Sequence, residues 1–193
     1  MSISTQLFQC EYIRLGAIDY EKDPAVESRW THNSAYLHSL GPKLARPLSP
    51  AQVKKQYEAI EKEIDKSKNT FYFTIRSQED GSLLGFARLF WIEWTSATGG
   101  IQIAIGKPED RDQPYALEAL QLVLRFAFLE LNLYRLSALA AEDDPAGISL
   151  LENAGFTEEV RRRKAIQRSG QTYDQLLMGL LAEEWISTEE KRV

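Results

Sequence analysis

The stretch IQIAIGKPEDRDQPYALEALQLVLRFAFLELNLYRLSALAAEDDPAGISLLENAGF, residues 101–156, decides the fold. Ile101, Ile103 and Ile105 alternate as a strand does. From Tyr115 the apolar period lengthens to that of a helix: Ala116, Leu120, Val123, Ala127 and Leu131 form one stripe, with Leu124 and Phe128 beside it. Asn132 suits a left-handed stop, residues 134–140 read as a buried strand, and Pro145 opens a short helix that ends at Gly155. Strand, helix and strand across 101–140 demand a parallel pair joined by a right-handed crossover. The loop Arg111-Asp112-Gln113-Pro114-Tyr115-Ala116 feeds the long helix, aiming its unpaired amides and positive dipole end at whatever sits above. Such an arrangement suits a phosphate group.

Working outward, Phe8, Cys10, Tyr12 and residues 14–18 read as a first strand. A helix is expected over 23–40, with Pro24 in its first turn and Gly41-Pro42 as its stop. Ser49-Pro50-Ala51-Gln52 has the form of a capping box, and Val53, Tyr57, Ile60 and Ile64 follow at helical spacing. Residues 70–76 and 82–94 are strands joined by the turn Glu79-Asp80-Gly81, and 95–100 reads as a second turn. Three antiparallel strands thus precede the loop. The chain closes with a hairpin, 160–168 and 173–181, turned by Ser169-Gly170, and a tail helix carrying Trp185. The expected class is α+β, an α/β sandwich. It has a single mixed, mostly antiparallel sheet with a central parallel strand pair, helices on both faces, and one domain over 1–193.

A chain of 193 residues can bury roughly 70% of its unfolded surface, so its fold needs neither disulfides nor a metal. Its one cysteine, Cys10, suits a reducing compartment. The polar N-terminus and the lack of any apolar run of membrane-spanning length point to a cytoplasmic protein with no membrane partner. A net charge of −5 argues against nucleic acid as partner and mildly favours a cationic acceptor such as an amine. In Arg161-Arg162-Arg163-Lys164, alternate side chains of a strand face opposite ways, which breaks up a basic stripe. His32 and His38 show no zinc-like spacing, so no metal is expected.

Several segments together resemble the GNAT acyltransferase superfamily. They are Ile105-Gly106-Lys107-Pro108-Glu109, Tyr115-Ala116-Leu117-Glu118-Ala119, Arg125-Phe126-Ala127-Phe128, Leu133-Tyr134-Arg135-Leu136 and Glu142-Asp143-Asp144-Pro145. Ala154-Gly155-Phe156, Arg168-Ser169-Gly170-Gln171-Thr172-Tyr173-Asp174 and Leu177-Met178-Gly179-Leu180 continue the series. The branch it most resembles contains ribosomal-protein N-terminal acetyltransferases and small-amine acetyltransferases. The resemblance covers residues 81–185 and, more loosely, Tyr12-Ile13-Arg14-Leu15. It implies an acyl-CoA N-acyltransferase-like fold and transfer of an acetyl group from acetyl-CoA to an amine, on a small molecule or a protein N-terminus. The CoA diphosphate would meet Arg111, Gln113, Pro114, Tyr115, Ala116 and Leu117, with Asp144 nearby. The pantetheine would run beside Ile103, Ala104 and Ile105, where a strand amide would polarise the thioester carbonyl. The amine would attack directly. In keeping with that, the chain has no Gly-x-Ser-x-Gly elbow.

The chain departs from the family pattern at four positions. Pro114 stands where the loop usually has glycine, Asp144 where asparagine precedes the proline, Leu151 where many relatives have tyrosine, and Gly100 where a glutamate is usual. Together they motivate an alternative: a catalytically degenerate module of this fold that binds CoA weakly, another ligand or a protein partner. Glu93, at a strand end, is either a general base or a solvated carboxylate. Asp174 and Ser149 are further catalytic candidates, and Trp94 and Tyr173 are candidates for holding the acceptor. Each of these also has a plain reading as a packed or solvated residue. Homodimerisation is left open.

Overall fold

The computed structural model describes residues 7–41, 46–111 and 113–192, with side chains described as far as Ser187. Pro42 and Asp112, which belong to the expected helix stop and loop, lie outside the described residues. Among the described residues seven strands form one sheet in the order β1-β2-β3-β4-β5-β7-β6. They are β1 (Ile13–Gly16), β2 (Phe71–Ser77), β3 (Leu83–Glu93), β4 (Thr98–Ile105), β5 (Arg135–Ala141), β6 (Thr157–Arg168) and β7 (Gln171–Leu181). Neighbours run antiparallel except β4 and β5, which are parallel. The helices are α1 (Asp23–Trp30), α2 (Ser34–Ser39), α3 (Pro50–Ser67), α4 (Tyr115–Arg125), α5 (Pro145–Asn153) and α6 (Ala182–Arg192). The expected mixed sheet with a central parallel pair is present, with helices on both faces.

Helix α4 covers one face. Its stripe residues Leu120 and Val123, with Ala119 and Leu124 beside them, are fully buried against Ile75, Ala87, Leu89 and Ile101 of the sheet. Burying such side chains is worth about 1.5–3 kcal/mol each, so this helix anchors the fold. Its buried Glu118 carboxylate accepts from the amides of Tyr12 (3.0 Å) and Ile13 (3.2 Å), tying α4 to β1. On the other face α1, α2 and α3 cover two smaller clusters, one around Trp30, Tyr36, Phe86 and Ala104, the other around Leu48, Val53 and Tyr57.

Local chemistry accounts for most boundaries. Ser49 and Gln52 form the expected capping box, with Ser49 N donating to Gln52 Oε1 (2.9 Å) and Gln52 N to Ser49 Oγ (3.3 Å). Ser169 (φ 50°) and Gly170 (φ 74°) make the tight turn between β6 and β7. Four expectations change. The single helix over 23–40 is two, because Asn33 adopts an extended backbone and its Oδ1 accepts from Ala35 N (2.8 Å) and Tyr36 N (3.3 Å), starting a new helix. The first strand shrinks to Ile13–Gly16, preceded by a turn in which Cys10 N donates to Ile13 O. The helix after the loop leaves α geometry at Phe126 for a π turn, Phe126–Glu130, that seats Phe126 among Phe8, Phe71 and Phe73. Finally, Gly99 and Gly100 belong to β4, not to a turn; they pair with Leu136 and Ser137 across the parallel seam.

Gly106 fixes how the α1–α2 layer sits. A Cβ there would stand well inside contact distance of the Trp30 indole. Gly106→Ala is therefore expected to displace Trp30 and cost about 1–3 kcal/mol. In a chain of this size that lowers Tm by roughly 3–10 °C. An unchanged melting curve would show that the indole yields without cost.

Candidate active site

The parallel seam is short. β4 and β5 pair only at Thr98/Arg135, Gly99/Leu136 and Gly100/Ser137, and then part. Gly100 permits the close approach at the branch point, because the Phe90 ring lies 2.6 Å from where its Cβ would be. Beyond it, β4 is bonded to β3 alone, so one side of its backbone faces an opening. A cavity of about 670 Å³ opens there. Leu139, Ala140 and Ala141 of β5 and Asp144 line one end. Tyr72, Arg88, Gln102, Phe90 and Trp91 line the other, under His38–Gly41 and the Ala59, Ile60 and Glu63 side of α3. Tyr72, Arg88 and Gln102 are cross-strand neighbours on β2, β3 and β4, so they share one face of the sheet.

Side-chain bonds hold the roof to the floor. Arg88 Nε donates to Gln102 Oε1 (2.8 Å), and Gln102 Nε2 donates to Ser39 O (3.0 Å). The Arg88 guanidinium lies 4.8 Å from the Phe90 ring centroid. Arg168 pairs with Asp143 (3.0 Å) and donates to His38 O (3.2 Å), so β6 also grips the end of α2. Within the helical layer, the buried Glu27 carboxyl of α1 accepts from Tyr36 OH (3.0 Å) of α2 and from Tyr57 OH of α3. Burial raises the Glu27 carboxyl above the usual carboxylate range, outweighing those two hydrogen bonds. Burial, and then the charge of Glu27, raise the Tyr36, Tyr57 and Tyr72 hydroxyls.

The loop before α4 lies beyond the cavity lining. Pro114 occupies the N-cap position at φ −67°, ψ −3°, and supplies no side-chain cap, so among the described residues the amides of Tyr115, Ala116 and Leu117 open the helix without a side-chain acceptor. The amide of Gln113 is taken by Asp110 O (3.3 Å). One Nη of Arg111 is buried without a hydrogen-bond partner among the described residues. Ile103 and Ile105 pack toward α4 and Ala104 toward Trp30 and Tyr36.

Among the residues expected at the site, Asp144 lines the cavity, and its Oδ1 caps α5 by accepting from Gly147 N (3.1 Å). The others stand outside the lining. Glu93 is exposed and accepts from Thr95 Oγ1 (2.7 Å), and Trp94 Nε1 donates to Lys68 O (3.3 Å). Ser149 is exposed on α5, and Tyr173 OH donates to Gln171 Oε1 (2.7 Å). Asp174 braces an irregular stretch of β6, accepting from Lys164 N (2.9 Å) and pairing with Arg161 (3.5 Å). Leu151 is buried in the main core. Tyr72, Arg88, Gln102 and Arg168 were not singled out as site residues in the sequence. Their alternation along separate strands is visible there, but which strands adjoin is not.

A family model described as an acetyltransferase (GNAT) domain matches residues 14–157. The SPbeta prophage-derived uncharacterized N-acetyltransferase YokL of Bacillus subtilis is 29% identical over 136 residues, 70% of this chain and 75% of that one. Three further relatives are matched over 46%, 61% and 62% of their lengths, so the chain spans less than two thirds of each. The structure of Vibrio cholerae spermidine N-acetyltransferase in complex with CoA and spermine superposes with a TM-score of 0.76 at 20% identity, covering 90% of this chain and 98% of that one. The ribosomal-protein-S5-alanine acetyltransferase of Vibrio fischeri superposes with a TM-score of 0.74 at 18% identity, covering 92% and 97%. At such identities the two structures speak for the fold.

Proposed function

The chain belongs to the GNAT acetyltransferase family and is an N-acetyltransferase; on that premise we propose that it transfers the acetyl group of acetyl-CoA to an amine held in the cavity beside β4. The observation that carries this reading is the parting of β4 and β5 after Gly100, which leaves strand backbone facing an open cleft. The residues present fit a CoA diphosphate. Among the described residues the α4 amides of Tyr115, Ala116 and Leu117 have no side-chain cap, and a buried Arg111 nitrogen lacks an acceptor. Both supply donors of the kind a diphosphate takes.

In this reading acetyl-CoA supplies an activated thioester, and the chain supplies position and polarisation. Backbone N–H groups of β4 within 101–105, on the side β5 leaves, would draw charge toward the carbonyl oxygen. Leu139, Ala140 and Ala141 would exclude water from the acyl end. As the amide C–N bond forms, the thioester C–S bond would break and CoA leave, and the amine's proton would pass to His38 or Glu63 of the cavity lining; Tyr72, whose hydroxyl pKa is raised by burial, keeps its proton and can only hydrogen-bond. Glu93, Asp174 and Ser149 stand outside that lining, so any share they take in proton transfer runs through water. The relatives' named acceptors, spermidine and the alanine of a ribosomal protein, frame the range from small amine to protein N-terminus. A cytoplasmic location and a homodimer belong to the same proposal. The free, exposed Cys10 suits a reducing compartment, and the edge strand β6 with exposed Val160 leaves surface for a second copy. No helix among the described residues is long and apolar enough to cross a membrane.

Isothermal titration tests the reading. Acetyl-CoA is expected to bind with a micromolar Kd, about −8 kcal/mol. An absence of heat at millimolar ligand would overturn the transferase reading and leave the fold alone.

A further inference from the structure

The part of the cavity lined by Tyr72, Arg88 and Gln102 holds a cation with no carboxylate counter-ion among the described residues. Arg88 is half-buried on β3, between Tyr72 and Gln102 in the cross-strand row. Its Nε is bonded to Gln102 and its plane rests near the Phe90 ring, so the guanidinium is held in place. Those contacts use one of its N–H donors, and among the described residues no hydrogen bond engages its two-nitrogen fork. Among the described residues no carboxylate pairs with it.

The other charged groups lining the cavity are accounted for differently. Arg168 is neutralised by Asp143. Asp144 is engaged in capping α5. Glu63 is exposed on the α3 side, at the mouth. Burial lowers the Arg88 pKa, a sign of desolvation, yet a guanidinium stays charged at any physiological pH. A desolvated charge without a partner is unfavourable, and a fork of parallel N–H donors is shaped to take a carboxylate in bidentate fashion.

We propose that the acceptor is a small amino carboxylate whose carboxylate is received by the Arg88 fork while its amine faces the thioester. This rests on the transferase reading above and names the substrate class for the same site. It reverses the inference from net charge. The acidic surface acts at long range and is screened within about 8–10 Å, whereas Arg88 meets the acceptor directly. A polyamine would bring a second ammonium toward the Arg88 guanidinium with no carboxylate among the described residues paired to that arginine.

The test compares acceptors that differ only in this group: the common L-amino acids against their carboxamides, with spermidine beside them. At least one acid is expected to exceed its amide in kcat/KM by about tenfold to a hundredfold. Arg88→Gln should bring that ratio to about one, chiefly by raising KM for the acid, and Arg88→Lys should keep part of it. If acid and amide serve equally, if spermidine is preferred, or if Arg88→Gln lowers both in proportion, the inference is overturned; the last result would mark Arg88 as merely structural. Calorimetry separates the two levels of argument. Failure of wild-type protein to bind acetyl-CoA removes the transferase reading. N-acetyl-amino acids titrated into wild type and Arg88→Gln probe the carboxylate site without turnover, and equal binding or none in both overturns the Arg88 assignment.

Discussion

Replacing Pro114 with glycine is expected to tighten acetyl-CoA binding by about tenfold to a hundredfold, the worth of one hydrogen bond to a charged group. Proline has no amide hydrogen, and Gln113, the neighbour that would compensate, already spends its own on Asp110. The Pro114 carbonyl accepts from Glu118 N (2.9 Å), a bond that glycine keeps. The backbone at φ −67°, ψ −3° is open to any residue, so glycine adds a donor and removes a ring without forcing a new geometry. A cost of about 0.4–1 kcal/mol in fold stability accompanies the more flexible unfolded chain. Titration of both proteins with acetyl-CoA checks the point, and equal or weaker binding by the glycine variant would mean that the diphosphate does not meet this loop.

Glu27→Ala should be the most damaging single change to the fold among those considered. It strips the acceptor from two buried tyrosine hydroxyls, Tyr36 and Tyr57. Orphaned buried donors cost roughly 1–3 kcal/mol each, so about 2–6 kcal/mol in total, or a fall in Tm of roughly 5–20 °C. The effect reaches the site, because Tyr57 packs against Tyr72 (6.4 Å), which stacks on Phe86 (5.3 Å) and lines the cavity. Glu27→Gln separates charge from hydrogen bonding. With its pKa raised by burial, the folded protein keeps the Glu27 proton to higher pH than the unfolded chain does. Its contribution is therefore full below the ordinary carboxylate range and is lost as pH rises through the folded value. The glutamine variant lacks that component, so its Tm relative to wild type should rise from acidic toward neutral pH. A difference that stays flat, or falls, would show that Glu27 titrates normally.

Much of the architecture is legible in the sequence. The helical stripe from Ala116 to Phe128, the capping box at Ser49, the turn at Ser169-Gly170 and the left-handed Asn132 (φ 53°) and Gly155 (φ 100°) are set by neighbours a few residues away. The resemblance from residues 81 to 185 led to the family that the matched domain supports. The break at Asn33 was within reach of the sequence too, since asparagine is a favoured cap and stands in the polar stretch Thr31-His32-Asn33-Ser34. The candidate site was far less legible. Asp174 carries a carboxylate in a place that invites chemistry, but the Lys164 amide and Arg161, both in β6, use it to brace that strand. Arg88 gave no sign, since a lone arginine in a strand is ordinary.

By itself, then, the order of residues determined most of the helices and strands, the parallel pair joined through α4, and the family, because capping, turn geometry and apolar period act over short separations along the chain. Only the tertiary structure decided that β4 and β5 separate after Gly100, and that Tyr72, Arg88 and Gln102 come into one row. It also decided that Arg168 finds Asp143 while Arg88 is left without a carboxylate among the described residues. Register and charge pairing join residues far apart in sequence, and their energies exist only once the sheet has brought those residues within reach.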